Sequence, residues 1–454
     1  MLLLAAALLC ASCSDCDSRP NGAGRSFRVE HGGTNVLLVT VDTLRADHLG
    51  CYGYERIETP NIDALASRGW LFEQAFSASP VTAPSHATIL TGLLPLAHGV
   101  RENGTYELAK KHATIAEILS AAGYETAAFV SSFVLDSRFG LDQGFSVYDD
   151  DFSEGDSIFS PGVHRWQGHE FDNFERNAGL TNSVVFRWLR SHRSRPFFAW
   201  VHYFDPHRPY EPEKPWADRY PNRPYDGEIA YDDSQLGLLL EELESAGELK
   251  RTLVVFVADH GEGLGQHEET HGKTLFTPLI RVPLIIVPPG GLEEGGQRIE
   301  AMVRTVDIVP TVLEMLSTTR PPALHGKSLL PLLKGDSSAA PPQRSYSETH
   351  RLERPYRGGI LRGLRTPRWS YTAIPRDGVR ELYDLEADPA EKRNLVDELP
   401  RRAERMQHAL GELIREQSPG EGEEGVEREM NEEVRRKLEA LGYIEHNEKQ
   451  KEGQ

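Results

Sequence analysis

Cysteine is almost missing from the body of this chain. Three of its four cysteines, Cys10, Cys13 and Cys16, fall near the start, and only Cys51 lies beyond them. That excludes a disulfide within the folded part and any cysteine-rich metal knot. Positive charge is also in deficit: 50 basic residues against 69 acidic ones give a formal charge of -19. A general nucleic-acid binder needs the opposite balance, so nucleic acid is excluded as a partner. Long apolar runs are lacking as well. The longest opens the chain, from Met1 to about Ala11, and is too short to cross a bilayer as a mature helix. There is no tandem repeat.

What is present suits a soluble globular protein. The 454 residues exceed the usual single-domain size, and 39% of them are hydrophobic. The apolar start followed by small residues reads as the h-region of an export signal. Ala11-Ser12-Cys13 resembles a bacterial lipobox with Cys13 as the lipidated residue. Localisation is therefore expected in the bacterial cell envelope, periplasmic or membrane-anchored through that lipid. Asp15 to Gly33 is polar and Gly-rich, a tether.

From Asn35 the pattern changes. Asn35 to Val41 is a continuous apolar run, and similar runs recur at Thr126 to Val130, Phe197 to Val201, Leu253 to Val257 and Pro283 to Val287. Such runs suit strands buried on both faces of a parallel sheet. Helical patterns such as Thr114 to Gly123 lie between them, so an α/β domain with a mostly parallel central sheet flanked by helices is expected. Asp42, Asp205 and Asp259 each follow a strand, at the carboxyl edge where ligands bind in such sheets. An acid just past a buried strand must be paired, liganded or exposed in a cleft. Pro84 fits the first turn of a helix, whose N-terminus favours an anion.

Val81-Thr82-Ala83-Pro84-Ser85-His86 through Thr91-Gly92 resembles the active-site segment of the sulfatase family, in the alkaline phosphatase superfamily. His325 to Leu333 and Glu381 to Pro389 resemble further segments of it. The family pattern is Cys/Ser-x-Pro-x-Arg, so Pro84 aligns Thr82 with the nucleophile and His86 with the Arg. The resemblance implies Asp42, Asp259, His260 and the Thr82 oxygen as ligands of a divalent cation. Asp42-Thr43 stands where the family has Asp-Asp. One Asp fewer and one imidazole more shift the preference from calcium towards manganese or zinc. His207 maps onto the histidine that contacts the transferred group or leaving oxygen. Asp205 either binds a second metal or orients His207, and Lys273 or His271 would neutralise the transferred oxyanion. Ser85, His86 and His98 are placed behind these groups as supports, with Ser85 the fallback nucleophile.

The departures matter. Threonine cannot mature to formylglycine, and Val130-Ser131-Ser132-Phe133 stands where the family has a Lys-x-His pair. The expected function is an exported metal-dependent hydrolase of a phosphate ester or phosphodiester, with a small-molecule, glycan or lipid ester substrate. Open alternatives are a sulfuric ester hydrolase without formylglycine, a phospho-headgroup transferase, and an inactive envelope binding protein. The expected layout is a leader and tether over 1–33 and a catalytic domain over 34–342. A small antiparallel C-terminal subdomain follows over 343–416, then a charged tail with a surface helix over 417–454.

Overall fold

The structure, a computed structural model, describes residues 33–152, 164–166, 169–171, 175–191, 195–336, 343–350, 359–374, 378–418, 425–428 and 430–440. The leader with Cys13, the tether before residue 33, and the residues after 440 lie outside these. No helix among the described residues is long and apolar enough to cross a membrane.

Eight strands form the central sheet: β1 (Asn35–Val41), β2 (Trp70–Phe76), β3 (Glu125–Phe129), β4 (Val147–Asp149), β5 (Phe197–Tyr203), β6 (Thr252–Ala258), β7 (Arg281–Val287) and β8 (Gln297–Arg304). Their spatial order is β8-β2-β7-β6-β1-β5-β3-β4. Every neighbouring pair is parallel except those made by β7, which runs against both β6 and β2. The expected mostly parallel sheet is thus borne out. The central strands β1, β5 and β6 are buried along their whole length, as the continuous apolar runs require for a sheet covered on both faces.

The main helices are α1 (Pro60–Ala66), α2 (Thr82–Thr91), α3 (Ile115–Ala121), α4 (Ala178–Ser191), α5 (Pro224–Ser245) and α6 (Ile308–Met315). Helix α2 is short and wholly buried. It starts after extended Val81 and ends at Gly92, whose left-handed backbone (φ 67°) takes the Thr88 carbonyl at 2.9 Å.

A second, antiparallel sheet holds β9 (Ser345–Thr349), β10 (Leu361–Arg365), β11 (Trp369–Ile374) and β12 (Val379–Asp384), in that order. Helix α7 (Pro400–Gln417) lies over it. Its Ala403, Met406, Leu410 and Leu413 recur at helical spacing and pack with Tyr346, Leu364, Tyr371 and Leu382. Ala78, Leu94 and Val306 of the main body join the same cluster, so the small sheet is fused to the segment around α2.

The C-terminal helix α8 (Glu432–Ala440) buries Leu438 and Val434 in the main core. Just before it, Val426–Glu427 pairs antiparallel with Tyr106–Glu107. Its Glu432, Glu433 and Arg436 stay exposed, so one face lies at the surface while the other packs.

Candidate active site

Asp42 and Asp259 leave adjacent parallel strands at the same level, because Val41 and Ala258 are paired in register. Both carboxyls are fully buried. Asp259 Oδ1 accepts the backbone N–H groups of His260 at 2.6 Å and Thr43 at 3.3 Å. Thr43 makes that possible with a left-handed backbone, φ 52°, a strained state for a β-branched residue. Its hydroxyl on Pro206 O and its carbonyl under the Tyr225 hydroxyl hold it there.

His260 Nδ1 donates to the Gly261 carbonyl at 2.9 Å, so Nε2 keeps its lone pair. That nitrogen lies 3.4 Å from Asp259 Oδ2, 3.6 Å from Asp42 Oδ1 and 3.4 Å from Thr82 Oγ1. Thr82 Oγ1 is 3.5 Å from Asp42 Oδ2. Asp42 Oδ1 and Asp259 Oδ2 are buried without a hydrogen-bond partner. Burial, then the charges of Asp259 and Glu262, raises the Asp42 pKa well above the carboxylate range, and burial raises that of Asp259. Two such carboxylates converging on an imidazole lone pair form a donor set for a cation. Their ligand atoms lie within 4.8 Å of one another, and among the described residues this trio is the grouping of that kind. The residues therefore fit the divalent ion that the sequence implied.

Thr82 opens α2, which is held by two imidazoles, one at its first turn and one further along. His86 Nδ1 donates to Thr82 O at 2.9 Å and lies 3.6 Å from Asp259 Oδ2. Its Nε2 accepts from the Thr40 hydroxyl at 3.0 Å, and Thr40 Oγ1 accepts from Trp200 Nε1 at 2.9 Å. Burial pushes the His86 pKa down to about 4. A neutral imidazole thus occupies the place of the family's Arg. His98 donates from Nε2 to Thr88 Oγ1 at 3.0 Å and accepts the Val100 N–H, bracing the far side of the helix. Ser85 donates to the Asp259 carbonyl at 2.6 Å, which makes it a brace.

His207 Nδ1 donates to the Arg208 carbonyl at 2.8 Å. Burial, then His271, pushes its pKa down to about 3. His271 joins the same cluster, its ring 5.1 Å from that of His207 and 4.6 Å from that of His260. Lys273 sits two residues on, with its backbone N–H on Glu268 at 3.2 Å. Asp205 accepts the Ala178 N–H at the start of α4, and burial pushes its pKa up to about 6. It lies outside the trio of ligand candidates.

Three residues of the site were not singled out from the sequence. Glu262 is fully buried, with Oε2 3.4 Å from His271 Nδ1. His202 accepts the Ser131 N–H at Nδ1 and so directs its Nε2–H towards Asp42 Oδ2 at 3.8 Å. Asn103 Oδ1 accepts the Ala83 N–H at 2.8 Å, which fixes its amide and leaves Nδ2 a buried donor without a partner. His202 stands opposite Thr40 in the strand register; only that pairing, invisible in the string, marks it.

Such a fold and site define an ester hydrolase built around a divalent-cation site. A family model described as Sulfatase matches residues 34–318, and a second, N-sulphoglucosamine sulphohydrolase C-terminal, matches residues 265–418. The chain belongs to the sulfatase family. It is 27% identical over 445 residues to an arylsulfatase of Clostridium perfringens, covering 80% of this chain and 90% of that one. It is 26% identical over 395 residues to the multifunctional alkaline phosphatase superfamily protein PehA of Trinickia caryophylli, covering 66% and 77%. Among solved structures, a phosphonate monoester hydrolase of Agrobacterium radiobacter shares the fold. The TM-score is 0.72 at 24% identity, over 87% of this chain and all of that one.

Proposed function

We propose that the protein hydrolyses a phosphate ester or phosphodiester through a covalent intermediate on Thr82. The observation that carries this is the Thr82 hydroxyl, fixed at a helix N-terminus between Asp42 and His260. Asp42, Asp259, His260 and Thr82 Oγ1 would hold the divalent ion, manganese or zinc before calcium. When bound, it supplies the Lewis acidity that lowers a hydroxyl pKa and balances an anionic ester.

The protein's own groups do the rest. The Thr82 oxygen forms a bond to phosphorus as the ester oxygen leaves. Asn103 Nδ2 binds a non-bridging oxygen, and the dipole at the N-terminus of α2 favours the anion. His207 enters neutral, so the proton it hands to the leaving oxygen must first be collected, and the Thr82 hydroxyl is its source. Water then attacks phosphorus as the bond to Thr82 Oγ1 breaks, and the proton His207 takes from that water passes to the Thr82 oxygen, which restores the hydroxyl and a neutral His207. His271, held by Glu262, keeps the His207 ring in place.

A second reading, sulfate-ester hydrolysis without formylglycine, is favoured by the likeness to an arylsulfatase. A panel of aryl phosphate monoester, diester, phosphonate and sulfate, run with manganese, zinc and calcium, separates the two. The proposal expects phosphorus esters to be turned over faster than sulfate. It expects Thr82→Ala to lower kcat by on the order of 10³-fold or more. A clear preference for sulfate esters, or an Ala variant as fast as the parent, contradicts it. The substrate itself is expected to be a small-molecule, glycan or lipid ester.

A further inference from the structure

The last described segments, 425–428 and 430–440, lie beyond both matched family models. They do not trail from the body. They grip one loop, residues 99–107, at both ends. Upstream, Gly425 lies so close to the Gly99 carbonyl that a Cβ there would stand 2.0 Å from its oxygen. Downstream, Val426 and Glu427 pair with Glu107 and Tyr106. The Arg428 N–H donates to Thr105 O at 2.8 Å, and its guanidinium meets Glu107 at 2.9 Å and the Arg138 carbonyl at 2.7 Å. The Tyr106 hydroxyl donates to Glu427 at 3.1 Å. Leu438 of α8 covers Gly104 (φ 77°), where a Cβ would come within 2.5 Å of its methyl. Lys437 Nζ sits 4.5 Å over the Phe133 ring.

The gripped loop carries Asn103, one residue from the Leu438 contact. Asn103 is buried, and its Oδ1 holds the N–H of Ala83, the residue after the nucleophile. One hold of the loop on α2 passes through this amide, next to the nucleophile position; another runs from the Val100 N–H through His98 to Thr88. From outside, the loop is held by the C-terminal strap and also by the small sheet, through the Arg101–Glu348 ion pair and the Tyr106–His350 ring contact. Loops of this kind open at low cost unless something packs on them, and here Leu438 and Val434 bring the packing into the main core.

We propose that the C-terminal strap is a positioning element of the active site. It clamps residues 99–107 and so holds Asn103 against α2, with its Nδ2 ready for the transferred group. The strap itself touches no reacting atom. This rests on the assignment of Thr82 and Asn103 given above.

The test is a double-mutant cycle in the full chain. Gly425→Val should unseat the strap, because its side chain has no room against Gly99. A displaced donor costs catalysis rather than folding, so kcat should fall about 100-fold. The metal content should stay at that of the parent, and the protein should remain folded below its melting temperature. Asn103→Ala should cost a comparable factor through loss of the donor. The double variant should be no slower than Asn103→Ala alone, since both act through the same amide. Leu438→Ala, a milder disturbance from the other end of the strap, should give a smaller loss that is likewise absent in the Asn103→Ala background. A Gly425→Val enzyme with a lowered melting temperature but parental kcat overturns the proposal, because the strap would then only stabilise. Losses that multiply in the double variant overturn it too. Failure of the underlying functional reading shows up separately, as parental turnover by Thr82→Ala, whatever the strap variants do.

Discussion

Asp259 is the residue on which the site turns. One carboxyl oxygen is spent on the N–H groups of His260 and Thr43, and the other faces His260 Nε2 and Asp42. Asp259→Ala should therefore lose the divalent ion and lower turnover on the order of 10³-fold or more, while the two freed N–H groups can take water. Metal analysis of the folded variant checks this, and a retained stoichiometric ion sinks the assignment. Asp42 and Asp259 stood out in the string because each follows an apolar strand, whereas Thr82 and His260 were pointed to by the resemblance to the sulfatase family. Asn103, His202 and Glu262 had neither signal. Asn103 lies in an ordinary polar loop, and it is marked by one contact with Ala83, twenty positions away in the chain. His202 acquires its place from sheet register alone. The offset of the oxyanion-binding group left Lys273 and His271 level in the sequence; ring contacts with His207 and His260 bring His271 into the cluster.

Helix α2 is held by imidazoles at both ends of its buried face, and this has a consequence for pH. Burial lowers the His98 pKa well below that of an exposed histidine, and neighbouring cations add to the effect. The folded protein then binds fewer protons at this site than the unfolded chain. The stability it contributes is full above about pH 6.5 and declines as pH falls below that. The limiting slope is about 1.4 kcal/mol per pH unit for one such group. Chemical denaturation between pH 7 and pH 5 should show His98→Gln with a shallower acid decline than the parent. Equal slopes would mean His98 is protonated in the fold. At this scale the sequence revealed the fully buried strands and α2, whose apolar runs and Pro–Gly punctuation are local signals. It concealed β2 and β8, which lack continuous apolar runs. It also concealed that β7 runs antiparallel, since direction is set by partners distant in the chain. The docking of α8 was hidden because its helix is mostly charged, and its apolar contact with the core is made by Val434 and Leu438.

Among the described residues, one eight-stranded sheet has a small antiparallel sheet fused beside α2, and the strap packs over the Asn103 loop. The start of the chain, outside the described residues, adds a cellular expectation. The apolar leader and Ala11-Ser12-Cys13 motivate a lipid anchor at Cys13 in the cell envelope. Cys13→Ser should move the protein from the membrane to the soluble fraction on cell fractionation. Unchanged partitioning, or a mature N-terminus at another residue, speaks against the anchor. The central claim, that Thr82 is the nucleophile for phosphorus, is tested most directly by quenching the working enzyme in acid and mapping its peptides by mass spectrometry. The account predicts a phosphoryl-containing group, with the diester's remaining substituent if a diester is used, on Thr82 and absent from Thr82→Ala. The same group on Ser85 or another side chain, or steady turnover by the Thr82→Ala enzyme, would contradict it.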